Sequence, residues 1–161
     1  HLTLHPTALS KFQDEYGSID LDIVTQYQGS FADLDIVKKW DAKPLVCYGN
    51  HLYEHWNAVA LSEEVFEKQY KKNENALQNL RNWVNLFAFT NGQPHTCFTK
   101  KNVTILKALG AGNVFSCFSG VNKNYKANFL LGRISLGPDD NSSSRLWFRI
   151  ARALTQVSGT L

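Results

Sequence analysis

The chain has 161 residues, 43% of them hydrophobic, which suits one soluble globular domain with a sizeable core and leaves little room for two. Seventeen Lys and Arg against 14 Asp and Glu give a net charge of only +3. No uncharged apolar run reaches the roughly 18 residues a membrane-spanning helix needs, so that class is excluded.

In chain order, Thr7 to about Tyr16 predicts a helix that starts after Pro6 and stops at Gly17. Ile19 to Tyr27 alternates apolar and polar side chains and predicts a strand. Ser30 with Asp33 approximates a capping box, and Phe31, Leu34, Val37 and Trp40 predict an amphipathic helix ending near Asp41. Leu45 to Tyr48 is a short apolar run, Gly49-Asn50 a turn, and Leu52 to Leu61 a further strand. Ser62 then caps a helical segment with Glu63 and Glu64 in its first turn, where carboxylates favour the helix dipole. The stripe Phe66, Tyr70, Leu77, Leu80, Val84 and Phe87 extends this long central helix towards Phe89.

His95 to Thr99 suits a strand, and Asn102 to Leu109 a short helix closed by Gly110. Val114 to Ser119 and Tyr125 to Leu136 read as paired strands joined through Gly120 to Asn124 as a hairpin. The last helix, Ser144 to Val157, is expected to bury Leu146, Trp147, Ile150, Leu154 and Val157. Helices interleaved with a hairpin predict a single α+β domain over residues 1–161, with antiparallel strands.

Charge is unevenly placed along this order. Residues 1–75 hold 12 acids and 7 Lys, whereas residues 76–161 hold 10 Lys or Arg and 2 acids, so the two parts carry −5 and +8. That asymmetry points to a nucleic acid, RNA included, or another polyanion as partner of the basic part. Arg145, Arg149 and Arg152 fall at i, i+4 and i+7 of the last helix and share one face, and such a row can follow phosphates. Lys100, Lys101, Lys123, Lys126 and Arg133 would widen the patch, and Tyr125 would supply a stacking face in the expected hairpin. Self-association through the oppositely charged parts is the competing expectation, and a membrane partner is not expected.

Three cysteines, Cys47, Cys97 and Cys117, cannot all pair within one chain, and with no apolar leader core in view an intracellular setting is the simpler reading. They lack close metal-ligand spacing, so no metal and no cofactor is expected. The sharpest candidates for chemistry are His55, in the string Tyr53-Glu54-His55-Trp56, and Cys117, in Asn113-Val114-Phe115-Ser116-Cys117. His-Trp followed downstream by Asn-x-x-x-Cys resembles elements of the Ulp/adenain-type cysteine proteases. The first string is also similar to the H-box of lecithin retinol acyltransferase-like thiol enzymes. Both resemblances imply a hydrolase-like enzyme in which histidine activates the cysteine sulfur as nucleophile. This chain departs from the patterns at Ala111, Ser116 and Phe118, and Glu64, Glu67 or Glu74 would have to serve as the acid that orients the histidine.

A third expectation is a metal-dependent nuclease. Asp20 and Asp22 would share a strand face, and Asp41-Ala42-Lys43 resembles the acid-x-Lys triplet of PD-(D/E)xK nucleases.

Overall fold

The computed structural model describes residues 10–11, 14–15, 17, 32–122, 129–137 and 140–155. Its elements are α1 (Leu34–Asp41), β1 (Tyr48–Asn50), a 3-10 turn (Ala58–Ala60), α2 (Glu63–Leu77), β2 (Trp83–Ala88), α3 (Lys100–Ala108), β3 (Val114–Phe115), β4 (Leu130–Leu131) and α4 (Ser143–Thr155). The four strands form one sheet in the order β1-β2-β3-β4, and every neighbouring pair is parallel. The architecture is therefore α/β, which corrects the expected α+β arrangement with antiparallel strands.

The correction has a local cause. Val114 N–H donates to Phe129 O at 2.8 Å and Ser116 N–H to Leu131 O at 2.8 Å, a parallel ladder where the sequence suggests a hairpin. The chain from Ser116 to Phe129 is long enough for the crossover that parallel neighbours require. Alternation of apolar residues marks a strand but carries no information about its direction.

The central helix is also shorter than expected. Ser62 Oγ accepts from Val65 N–H at 3.3 Å and starts α2 as anticipated, but α2 ends at Leu77 and the segment beyond becomes β2. A tertiary bracket fixes this change. The Asp41 carboxylate accepts the backbone N–H groups of Arg81 and Asn82 at 2.7 and 2.8 Å, while Asn82 Nδ2 donates to Asp41 O at 2.6 Å and Lys43 O at 2.8 Å. A continuing helix would spend those two N–H groups on its own preceding turn. Leu80, Val84 and Phe87 fit helical steps, but in the strand Phe87 turns to the core.

Two further expected strands are loops. Leu52 and His55 take φ of 62° and 57°, a left-handed backbone that ends extension, and Asn57 caps the 3-10 turn that follows. His95 takes φ of 68°, and only an isolated bridge joins Pro94 to Phe98. Asp33 caps α1 by accepting from Ile36 N–H at 2.8 Å, and Gly49-Asn50, expected as a turn, lies in β1. The expected helix over 7–16 falls largely, and the strand over 19–27 wholly, outside the described residues.

The core gathers where α2 and α3 cover one face of the sheet. Phe66 and Tyr70 from α2 meet Phe87 and Phe89, with ring centroids 5.8 Å apart for Tyr70–Phe87 and 6.3 Å for Phe66–Phe87. Phe89 stacks on Phe98 at 3.9 Å, and Ile105 and Leu106 of α3 join the cluster with Val114. Burying an aromatic or branched side chain of this kind is worth about 1.5–3 kcal/mol, so this cluster anchors the sheet. Polar groups inside it are satisfied: Asn50 Nδ2 donates to Tyr70 O at 2.9 Å, and the Thr90 hydroxyl donates to Trp56 O.

Candidate nucleic-acid interface

Parallel strands bring all their carboxyl ends to one edge, the edge at which open α/β sheets bind ligands. Here that edge carries His51 after β1, Thr90 to Gly92 after β2, Cys117 after β3 and Arg133 after β4. Arg133 ties it together. Its Nε donates to Ser116 O at 3.0 Å, and its Nη2 to Phe89 O at 3.3 Å and to Cys117 Sγ at 3.1 Å. Cys117 N–H donates to Gly92 O at 2.7 Å. Charge alone assigns Arg133 to a ligand, and the structure engages it with the sheet's own backbone.

Beside this edge lies a cleft of about 340 Å³ whose walls include Gln93, Cys117, Ser119, Ser135, Arg149 and Arg152. Helix α4 forms the far wall. On it Ala153 is 1% exposed and Ile150 half-buried, while Trp147 and Phe148 are each 68% exposed and Leu154 and Leu146 also face outward. The expectation that α4 buries Leu146, Trp147 and Leu154 is therefore corrected. An amphipathic pattern establishes that a helix has two faces, and here the covered side chains are Ala153 and, in part, Ile150. Val157 lies outside the described residues.

The arginine row survives this reorientation. Arg145, Arg149 and Arg152 line one surface groove together with Ser144, Phe148 and Asp140, a depression of about 660 Å³. Arg149 Nε donates to Asp140 Oδ1 at 3.1 Å, and Gly137 N–H donates to Asp140 Oδ2 at 2.8 Å. The Gly137 N–H, followed by the Arg149 guanidinium, holds the Asp140 carboxyl below the usual carboxylate range. Among the described residues, the groove thus holds three guanidinium groups and one fixed carboxylate.

The other expected basic residues are placed differently. Lys100 and Lys101 open α3, with Lys101 Nζ 2.5 Å from Glu63 at the start of α2, and neither lines the groove or the cleft. Lys123, Tyr125 and Lys126 lie outside the described residues.

Of the thiol pair, Cys117 takes the Arg133 hydrogen bond, while His55 packs edge-on against His51 with centroids 4.7 Å apart. His51 Nδ1 lies 2.6 Å from Ala88 O, and since a carbonyl only accepts, Nδ1 carries the proton. Burial lowers the His51 pKa against the opposing pull of the Ala88 hydrogen bond, and the positive charge of His55 and Arg133 lowers it further. No motif in the sequence singles out His51. Its only signal is the His-x-x-x-His spacing to His55 at a strand end.

The nuclease triplet is absorbed by the fold, because the Asp41 carboxylate already holds Arg81 and Asn82 N–H. Asp20 and Asp22 lie outside the described residues, among which no group of three His, Cys, Asp or Glu is placed to hold a metal ion. Among the same residues no helix is long and apolar enough to cross a membrane, and Cys47, Cys97 and Cys117 are free thiols.

No family model matches this chain, and neither the curated proteins nor the solved structures yield a match.

Proposed function

We propose that this protein binds nucleic acid through the arginine-bearing face of α4. The observation that supports this reading is the shared groove of Arg145, Arg149 and Arg152. Three guanidinium groups on one helix face are suited to bidentate contact with successive phosphates, and releasing the counterions of those phosphates drives association. Fluorescence anisotropy with a labelled oligonucleotide tests it. Arg145→Glu combined with Arg152→Glu should weaken binding at least tenfold and lower the slope of log K against log salt by about 1.4 to 1.8, since each neutralised phosphate contributes about 0.9 in a duplex and about 0.7 in a single strand. Binding that ignores salt, or that the double variant leaves intact, refutes the proposal.

A second reading keeps Cys117 as a nucleophile served by His55, because the sulfur borders a cleft that also presents Arg149 and Arg152. In that case iodoacetamide should alkylate Cys117 ahead of Cys47, and His55→Ala should slow the reaction. An exposed Cys47 that reacts first counts against it.

A further inference from the structure

We infer that Phe148 is a base-stacking platform set between the arginines of α4, which makes the ligand a single strand and not a duplex. This inference rests on the polyanion reading of the same groove and adds the substrate class.

Helix geometry places the ring. Phe148 stands three residues after Arg145 and four before Arg152, the two spacings that make side chains neighbours on a helix surface. Arg145 and Arg152 are therefore separated by roughly 10 Å along the axis, with the ring between them. Both arginines line the groove with Phe148, a residue 68% exposed.

Phe148 stands outside the buried core cluster and exposes most of its surface. It joins none of the core ring contacts, and the buried side chain of this helix is Ala153. Phenylalanine has no hydrogen-bonding group, so it adds nothing to the binding of a bare phosphate chain. A base offers it a π-face, and removing a ring that stacks on a base weakens binding by about 5- to 150-fold. Duplex bases are stacked on one another and cannot be reached by a ring on a convex helix surface unless they unstack. The combination of cations flanking an aromatic ring therefore selects an unstacked strand, whatever its sequence.

The test uses the full chain with three probes: a fluorescein-labelled oligouridylate, the same strand annealed into a duplex, and inorganic polyphosphate as competitor. The single strand should bind more tightly than the duplex. Phe148→Ala should weaken the single strand by about tenfold while leaving polyphosphate competition unchanged, and Phe148→Tyr should retain binding. Because Phe148 is solvent-facing, circular dichroism of the variant should match the parent. The inference is overturned if Phe148→Ala binds the single strand as the parent does, or if the duplex binds equally well, while polyphosphate still competes. If neither oligonucleotide nor polyphosphate binds the parent protein, the polyanion reading itself fails and this inference falls with it.

Discussion

The guanidinium of Arg133 donates to the sulfur of Cys117 at 3.1 Å and in the same orientation reaches Ser116 O and Phe89 O, so one side chain after β4 closes the carboxyl ends of β2 and β3. Arg133→Met should leave both carbonyls without this donor and destabilise the protein by about 1–3 kcal/mol. Cys117→Ala keeps both carbonyl contacts and should cost less. Urea unfolding of the two variants ranks them; equal losses would show that the sulfur, and not the backbone, is what Arg133 serves.

Gly92 has φ of 69°, and a Cβ there would lie 2.7 Å from Cys117 Sγ and 2.8 Å from Cys117 N. Gly110, with φ of 79°, opens onto empty space. Gly110→Ala should cost about 1–2 kcal/mol for the left-handed backbone alone. Gly92→Ala adds a clash with backbone and should cost clearly more. Comparable thermal midpoints for the two variants would contradict the close approach at Gly92.

Among the described residues, Asp140 supplies the carboxylate in the arginine groove. Asp140→Asn removes its charge while an amide oxygen can still accept from Gly137 N–H. Oligonucleotide affinity should rise severalfold, with a steeper salt dependence, because Arg149 no longer has a competing anion. Unchanged or reduced affinity would remove Arg149 from the binding surface.

Tyr70 is buried beside Glu74, and burial, followed by the Glu74 charge and hydrogen bond, pushes its phenol up to about 12. The folded state therefore keeps the proton longer than the unfolded one, whose tyrosine titrates near 10. Stability from this source is complete below pH 10 and is lost as the pH rises to about 12, by an amount on the order of 2 kcal/mol. Tyr70→Phe should flatten that decline. In an absorbance titration of tyrosinate, subtracting the variant should isolate one late-titrating group among the six tyrosines.

His51 has the opposite sign. Its pKa is lowered in the fold, so its contribution is present above the ordinary value near 6.5 and is lost as the pH falls through the folded value. His51→Gln should reduce the acid sensitivity of unfolding as the pH falls below the ordinary imidazole value near 6.5. An unaltered pH profile would show that the ring is not held neutral against His55 and Arg133.

Features that depend on neighbours within a few residues are legible in the chain alone. Ser62 caps α2, α3 ends at Ala108 with Leu109 as its C-cap before Gly110, and Arg145, Arg149 and Arg152 share a face because helical spacing places them there in any fold. Partners distant in the chain settle the rest, and folding alone brings them together. Asp41 reaches Arg81 and Asn82 and turns an apparent helix into β2; Phe129 and Leu131 accept from β3 and make the sheet parallel; Arg133 occupies the sulfur that local motifs assign to His55. The orientation of α4 belongs to the same class. Periodicity specifies an apolar arc and a basic arc, and the tertiary structure covers Ala153 and leaves Trp147 and Phe148 facing solvent, with Phe148 beside the arginine row.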